Sequence, residues 1–132
     1  MITNMDVTIY NRRYDEVSLL DVWGRTVLHG VHVYVDHKTA VSDNGLNCAE
    51  IYKIRIPADL PEADQYLPPD EYSCCAAGHW TIRNGDYVVL GECHTDIEKP
   101  ADLKRVFKRH CKVLSWSDNR FGGLPHWRIG GE

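Results

Sequence analysis

The stretch His79-Trp80-Thr81-Ile82-Arg83-Asn84-Gly85-Asp86-Tyr87-Val88-Val89-Leu90 holds the clearest local signal in the chain. Two runs rich in β-branched and aromatic residues flank Asn84-Gly85. An Asn-Gly pair in that setting predicts a tight hairpin with a type I′ turn, in which both central residues take positive φ. Outward from this point the pattern recurs. Asp6-Val7-Thr8-Ile9-Tyr10 reads as a first short strand, followed by a polar loop over residues 11–16, where Asn and Asp suit turns. Residues 22–35 are strand-like, with Val31, Val33 and Val35 on one face and His32 and Tyr34 on the other. Gly30 interrupts that run and predicts a bulge or bend. Residues 50–56 form the next strand. There Ile54 and Ile56 alternate with Lys53 and Arg55, which implies one wet face, and Pro57 closes it. Leu67-Pro68-Pro69 excludes regular structure from residues 58–77. Residues 100–108 predict one short helix with proline in its first turn and Leu103, Val106 and Phe107 on one face. Residues 112–116 give a last strand. Six or seven short strands and one helix imply a mainly β, single-domain β-barrel over residues 1–132, with a long loop at 36–49 and a C-terminal tail at 119–132.

Composition supports a self-sufficient domain. The chain has 132 residues, of which 43% are hydrophobic and 26% charged, with a formal net charge of -4. That is too apolar for disorder, and the length is enough to bury a core without a metal or disulfide. No run of about 18 apolar residues predicts a membrane span. Met1 to Tyr10 lacks a basic head followed by an apolar stretch, so no secretory signal is expected. Five cysteines is an odd number, which argues for reduced thiols rather than a disulfide framework. The acidic balance argues against a protein that coats nucleic acid, because such binding neutralises phosphates with Lys and Arg.

Four groups of residues are candidates for chemistry. Cys74, Cys75, His79, Cys93 and His94 are thiols and imidazoles at short spacing, as zinc requires. They lack a C-x-x-C knuckle, and free cysteines are commonly plain buried side chains. Cys93-His94 and His110-Cys111 place a nucleophile beside a base, but strand neighbours point to opposite faces and no nucleophile elbow accompanies them. Gly122-Gly123 and Gly130-Gly131 lack the Lys-Ser/Thr and helix of a phosphate loop and read as flexible tail. Arg120, Phe121, Leu124, Trp127, Arg128 and Ile129 put aromatics and arginines on that tail, which suits contact with another molecule. The long polar segment at 36–49, with Asp36, His37, Lys38, Asp43, Asn44 and Leu46, reads as an arm ordered by a neighbour, and Asp43-Asn44-Gly45 marks a turn within it. Trp23, Trp80 and Trp116, lying in strand-like runs, read as core. No catalytic residue, cofactor or metal is expected.

The run Val7-Thr8-Ile9-Tyr10-Asn11-Arg12, then Arg25-Thr26-Val27-Leu28-His29-Gly30-Val31-His32-Val33, Lys53-Ile54-Arg55-Ile56-Pro57, His79-Trp80-Thr81-Ile82, Tyr87-Val88-Val89-Leu90-Gly91 and Asp118-Asn119-Arg120-Phe121-Gly122-Gly123-Leu124-Pro125-His126-Trp127 resembles a family of small structural proteins from tailed phages and prophages of Gram-positive bacteria. These are similar to the head-closure, or stopper, components of the virion neck. The resemblance extends from Val7 to Gly131, and Cys74-Cys75 departs from it. It implies a non-enzymatic β-barrel that forms a homo-oligomeric ring below the portal and adaptor, seals the DNA exit channel, helps retain DNA and docks the tail. The acidic balance suits a conduit that DNA passes without specific binding. It also directs the 36–49 segment toward the channel or a neighbouring subunit. The implied location is the virion, with the host cytoplasm during assembly and no membrane. A tail terminator or tail-completion protein is the nearest alternative, and a small zinc-binding protein built on the cysteines and histidines above is a further one.

Overall fold

A computed structural model describes residues 3–15, 19–42, 45–72, 78–95, 97, 101–106 and 109–132. The fold is mainly β. Strands β1 (Met5–Asp15), β2 (Leu20–Ser42), β3 (Gly45–Pro57), β4 (Tyr87–Leu90), β5 (His110–Asn119) and β6 (His126–Gly131) close into a barrel in the order β1-β2-β3-β6-β5-β4. Every ladder is antiparallel. A 3-10 turn (Ala63–Gln65) and helix α1 (Pro69–Tyr72) interrupt the β3–β4 connection, and helix α2 (Ala101–Val106) lies between β4 and β5.

Period-two alternation sorts side chains into two apolar layers. Val7, Ile9, Leu28, Val31, Ile54, Ile56, Val88, Val113 and Ile129 face the barrel interior, where Trp80, Trp127 and Tyr66 pack ring against ring. The neighbours Tyr10 and Val89 point the other way. They join Trp23, Cys93, Ile97 and Leu103 of α2 in a second layer outside β1 and β4. Trp23 and Trp80 are buried and Trp116 packs on the core, as their places in strand-like runs suggested.

Gly30 forms the expected bulge. Between the pairs Met5↔Val31 and Val7↔Leu28, Asp6 of β1 faces both His29 and Gly30 of β2, and Gly30 takes φ 84°.

Five expectations are corrected. Residues 11–15 continue β1 instead of forming a loop, pairing with residues 20–24. The Asn84-Gly85 turn exists, but only Gly85 has positive φ, which fits a type II turn and not type I′. Its upstream arm is not a strand paired with β4, because side chains and other loops take its backbone groups. Asn11 Nδ2 donates to Thr81 O at 2.7 Å, and Thr81 N donates to Asn11 Oδ1 at 3.1 Å. The Trp80 backbone bonds instead to Gln65 and Leu67.

The 36–49 segment is no loop but two paired strands. The stretch from residue 119 onward is no free tail either. It contains β6, which lies between β3 and β5 and completes the barrel. Gly131 serves close approach rather than flexibility: a Cβ there would lie 2.6 Å from Lys112 O and 3.0 Å from Cys111 Sγ.

Candidate functional site

Strand direction and register place the exposed features at the two ends of the barrel. β2 pairs with β1 only as far as Val31 and then with β3 from His32↔Arg55 to Ser42↔Gly45. β3 pairs with β6 only from Tyr52 to Pro57. The seven pairs from Asp36↔Ile51 to Ser42↔Gly45 therefore form a two-stranded ribbon beyond the last β6 partner. At about 3.4 Å per residue it reaches roughly 20–25 Å past the barrel wall. Both of its outer edges lack a strand partner among the described residues, so it offers rows of backbone donors and acceptors.

Asp36 and His37 lie on the β2 side of this ribbon. His37 is exposed and faces Glu50 across the strands at 3.7 Å. Lys38 pairs with Ala49, and Leu46 pairs with Val41. Asp43 and Asn44 lie outside the described residues. At the ribbon's base Tyr34 is exposed, and the Tyr52 hydroxyl donates to Glu50 Oε2 at 3.3 Å.

The opposite end carries the β1–β2 and β5–β6 tips: β2 begins at Leu20, away from the ribbon, and the β5–β6 turn lies beside Pro57, which pairs with His126. It is apolar. Tyr14, Leu19 and Leu20 are 60–69% exposed at the first tip, and Phe121 and Leu124 are 91% and 55% exposed at the second. Beside Leu124 and Pro125, residues Pro57, Ala58 and Asp59 border a depression of about 230 Å³. The remaining predicted tail residues divide. Trp127 and Ile129 are buried in the core, so their expected role as contacts to a neighbour is corrected: β6 alternation aims them inward.

Arg128 is exposed. Arg120 is engaged within the chain. Its guanidinium grips the Asp118 carboxylate with Nε at 2.8 Å and Nη2 at 2.6 Å, and stacks 5.1 Å above both the Tyr66 and Trp127 rings. These hydrogen bonds hold the Asp118 carboxyl below its ordinary range.

Sequence reading missed Tyr14, Leu19 and Leu20. Leu19 has positive φ, which its side chain gives no reason to expect.

Of the thiols and imidazoles read as possible zinc ligands, the described ones, His79, Cys93 and His94, are not assembled together. Cys93 is buried, with its Sγ 2.7 Å from the Tyr10 hydroxyl, whereas His94 is exposed and faces Glu92 at 3.7 Å. His79 Nδ1 sits 3.1 Å from Gln65 O. Cys111 is buried, and burial pushes its thiol up to about 12, which leaves it protonated and inert. Cys74 and Cys75 lie outside the described residues. Among the described residues, the grouping close enough to hold a metal is Asp6, His29 and Glu92. They lie 23 and 63 positions apart, and no short motif signals them.

A cavity of about 510 Å³ also opens on the β1–β2 wall, lined by Arg13, Arg25, His79 and Glu62 among others. Among the described residues no helix is long and apolar enough to cross a membrane.

Residues 2–132 match a family described as a family of unknown function, DUF6751, and the chain belongs to it. No curated protein and no solved structure matches the chain.

Proposed function

We propose that this DUF6751 chain is a non-enzymatic assembly subunit that forms a homo-oligomeric ring, in the manner of the head-closure connectors of the tailed-phage neck. The observation that carries this reading is the ribbon. Two strands without a sheet or a helix to cover them are marginal in water. Seven pairs held clear of the barrel gain stability by lying on the next subunit, with main-chain hydrogen bonds along an open edge supplying affinity. The barrel is the rigid body from which the ribbon extends. The Tyr14, Leu19, Leu20, Phe121 and Leu124 tips at the far end supply a second, apolar contact surface. One end thus engages copies of the same chain, and the other suits a portal, adaptor or tail protein. Such exposed apolar residues commonly mark protein contacts.

In this role the acidic balance, a net charge of -4, suits a conduit past which DNA slides. The chain works in the virion neck after assembly in the host cytoplasm. A tail terminator would use the same architecture, and the phenotype separates the two. Deletion of the gene as a stopper leaves complete tails and heads that leak DNA, whereas deletion of a terminator leaves tails of aberrant length. Infectious particles of normal form after deletion would contradict both.

A further inference from the structure

Asp6, His29 and Glu92 meet because β1 lies between β2 and β4. On one side of Asp6, the Gly30 bulge sets both His29 and Gly30 opposite it, and Gly30 N donates to Asp6 Oδ1 at 2.9 Å. On the other side, β4 ends at Leu90 opposite Val7. Gly91 N then donates to Asp6 O at 2.8 Å, which brings Glu92 alongside. One donor atom from each of Asp6, His29 and Glu92 lies within 4.8 Å of the other two. Atoms sharing an ion at about 2.0–2.2 Å stand roughly 3–4 Å apart, so small side-chain shifts suffice.

The fourth member is Glu62, from the β3–β4 connection. Its Oε1 pairs with His29 Nδ1, and its Oε2 accepts from His29 N at 3.3 Å. His29 Nε2 is thereby turned toward Glu92, 3.0 Å away. A ring nitrogen held by a carboxylate while the other faces acidic oxygens is the arrangement that orients histidines on metals. The charges agree with it. Three carboxylates surround one imidazole, and among the described residues His94 near them is exposed and 3.7 Å from Glu92. A divalent cation balances that excess.

We infer that Asp6, His29 and Glu92 bind a first-row divalent transition metal ion such as Zn²⁺, with Glu62 as the positioning residue for His29. One imidazole and two carboxylates, with no thiolate, suit such ions better than Ca²⁺ or Mg²⁺, which prefer oxygen donors alone. The site is half-exposed at His29 and Glu92, which leaves room for water in the remaining positions. It ties β1, β2, the exit of β4 and the β3–β4 connection at one point of the barrel wall, so its effect is a staple across the fold. This inference does not depend on the ring-forming reading.

The test is calorimetric titration of the chelator-treated full chain with ZnCl₂ alone, and separately with MnCl₂ alone. One equivalent of Zn²⁺ is expected to bind and to raise the melting temperature. His29→Gln and Glu92→Gln are expected to lose saturable binding. Glu62→Gln should weaken it about 10- to 100-fold while leaving the stoichiometry at one. A Cys74→Ser, Cys75→Ser double variant should bind like the parent. If His29→Gln does not fold, Co²⁺ on the parent chain decides instead. Visible bands without a sulfur charge-transfer band in the near ultraviolet support the site, and a sulfur band overturns it. Absence of saturable Zn²⁺ binding, or binding that survives in folded His29→Gln, also overturns it.

Discussion

Asn11 shows how one side chain redirects a whole segment. Its amide stands in for a strand partner, holding both backbone groups of Thr81, and its Nδ2 also donates to Asp86 Oδ2 at 2.9 Å. Asp86 is 3% exposed, and burial pushes its carboxyl upward against the hydrogen bonds from Asn11 and Arg12 N that pull it down. Asn11→Ala leaves the Thr81 groups and one Asp86 contact unpaired in the interior. The expected loss is about 3 kcal/mol by chemical denaturation, near the upper end for an unsatisfied buried polar group. Asp118 and Arg120 predict a pH effect. Because the Asp118 carboxyl is held below its ordinary range, its pairing with Arg120 stabilises the fold above the unfolded carboxylate pKa of about 4. That contribution is lost as pH falls through the lowered value. The melting temperature of Asp118→Asn should therefore lie below that of the parent at pH 7, and the two should converge in acid.

At the scale of elements, β6 and the ribbon make opposite predictions. Truncation after Asn119 removes Trp127 and Ile129 from the core and opens the barrel between β3 and β5. The truncated chain is expected to lose its cooperative thermal transition and its near-ultraviolet circular dichroism. None of the described core residues comes from the ribbon. Joining His37 to Glu50 through Asn-Gly should leave the melting temperature of the monomer within a few degrees of the parent. These two elements also show what sequence could and could not reveal. The barrel class was legible because Val31 and Val33, like Ile54 and Ile56, alternate with polar neighbours, and only a half-buried strand needs that alternation. The ribbon was hidden because its residues carry no sustained apolar–polar alternation and include Asp43-Asn44-Gly45, so they read as loop. β6 was hidden by its glycines. They suggest flexibility in sequence, yet Gly131 is where β6 comes within a side chain's breadth of Lys112 and Cys111. The Asp6, His29 and Glu92 grouping left no trace beyond Gly30, because the closing of the barrel, not proximity in sequence, brings it together.

At the scale of the whole molecule, a closed barrel carries a two-stranded ribbon at one end, with no third strand beside it among the described residues, and exposed apolar hairpin tips at the other. Closure covers the middle of the barrel, while open strand edges remain on the ribbon and, at the far end, on the β1–β2 hairpin over residues 11–15 and 20–24. The proposed self-association resides in the ribbon, which supplies none of the described core residues. The most direct measurement is the native mass of the full chain and of the ribbon-shortened chain across a concentration series from low to high micromolar. The account predicts that the full chain passes from monomer to one closed oligomer as concentration rises, while the shortened chain stays folded and monomeric throughout. A full chain that remains monomeric over the series, or a shortened chain that still assembles into the same oligomer, would contradict it.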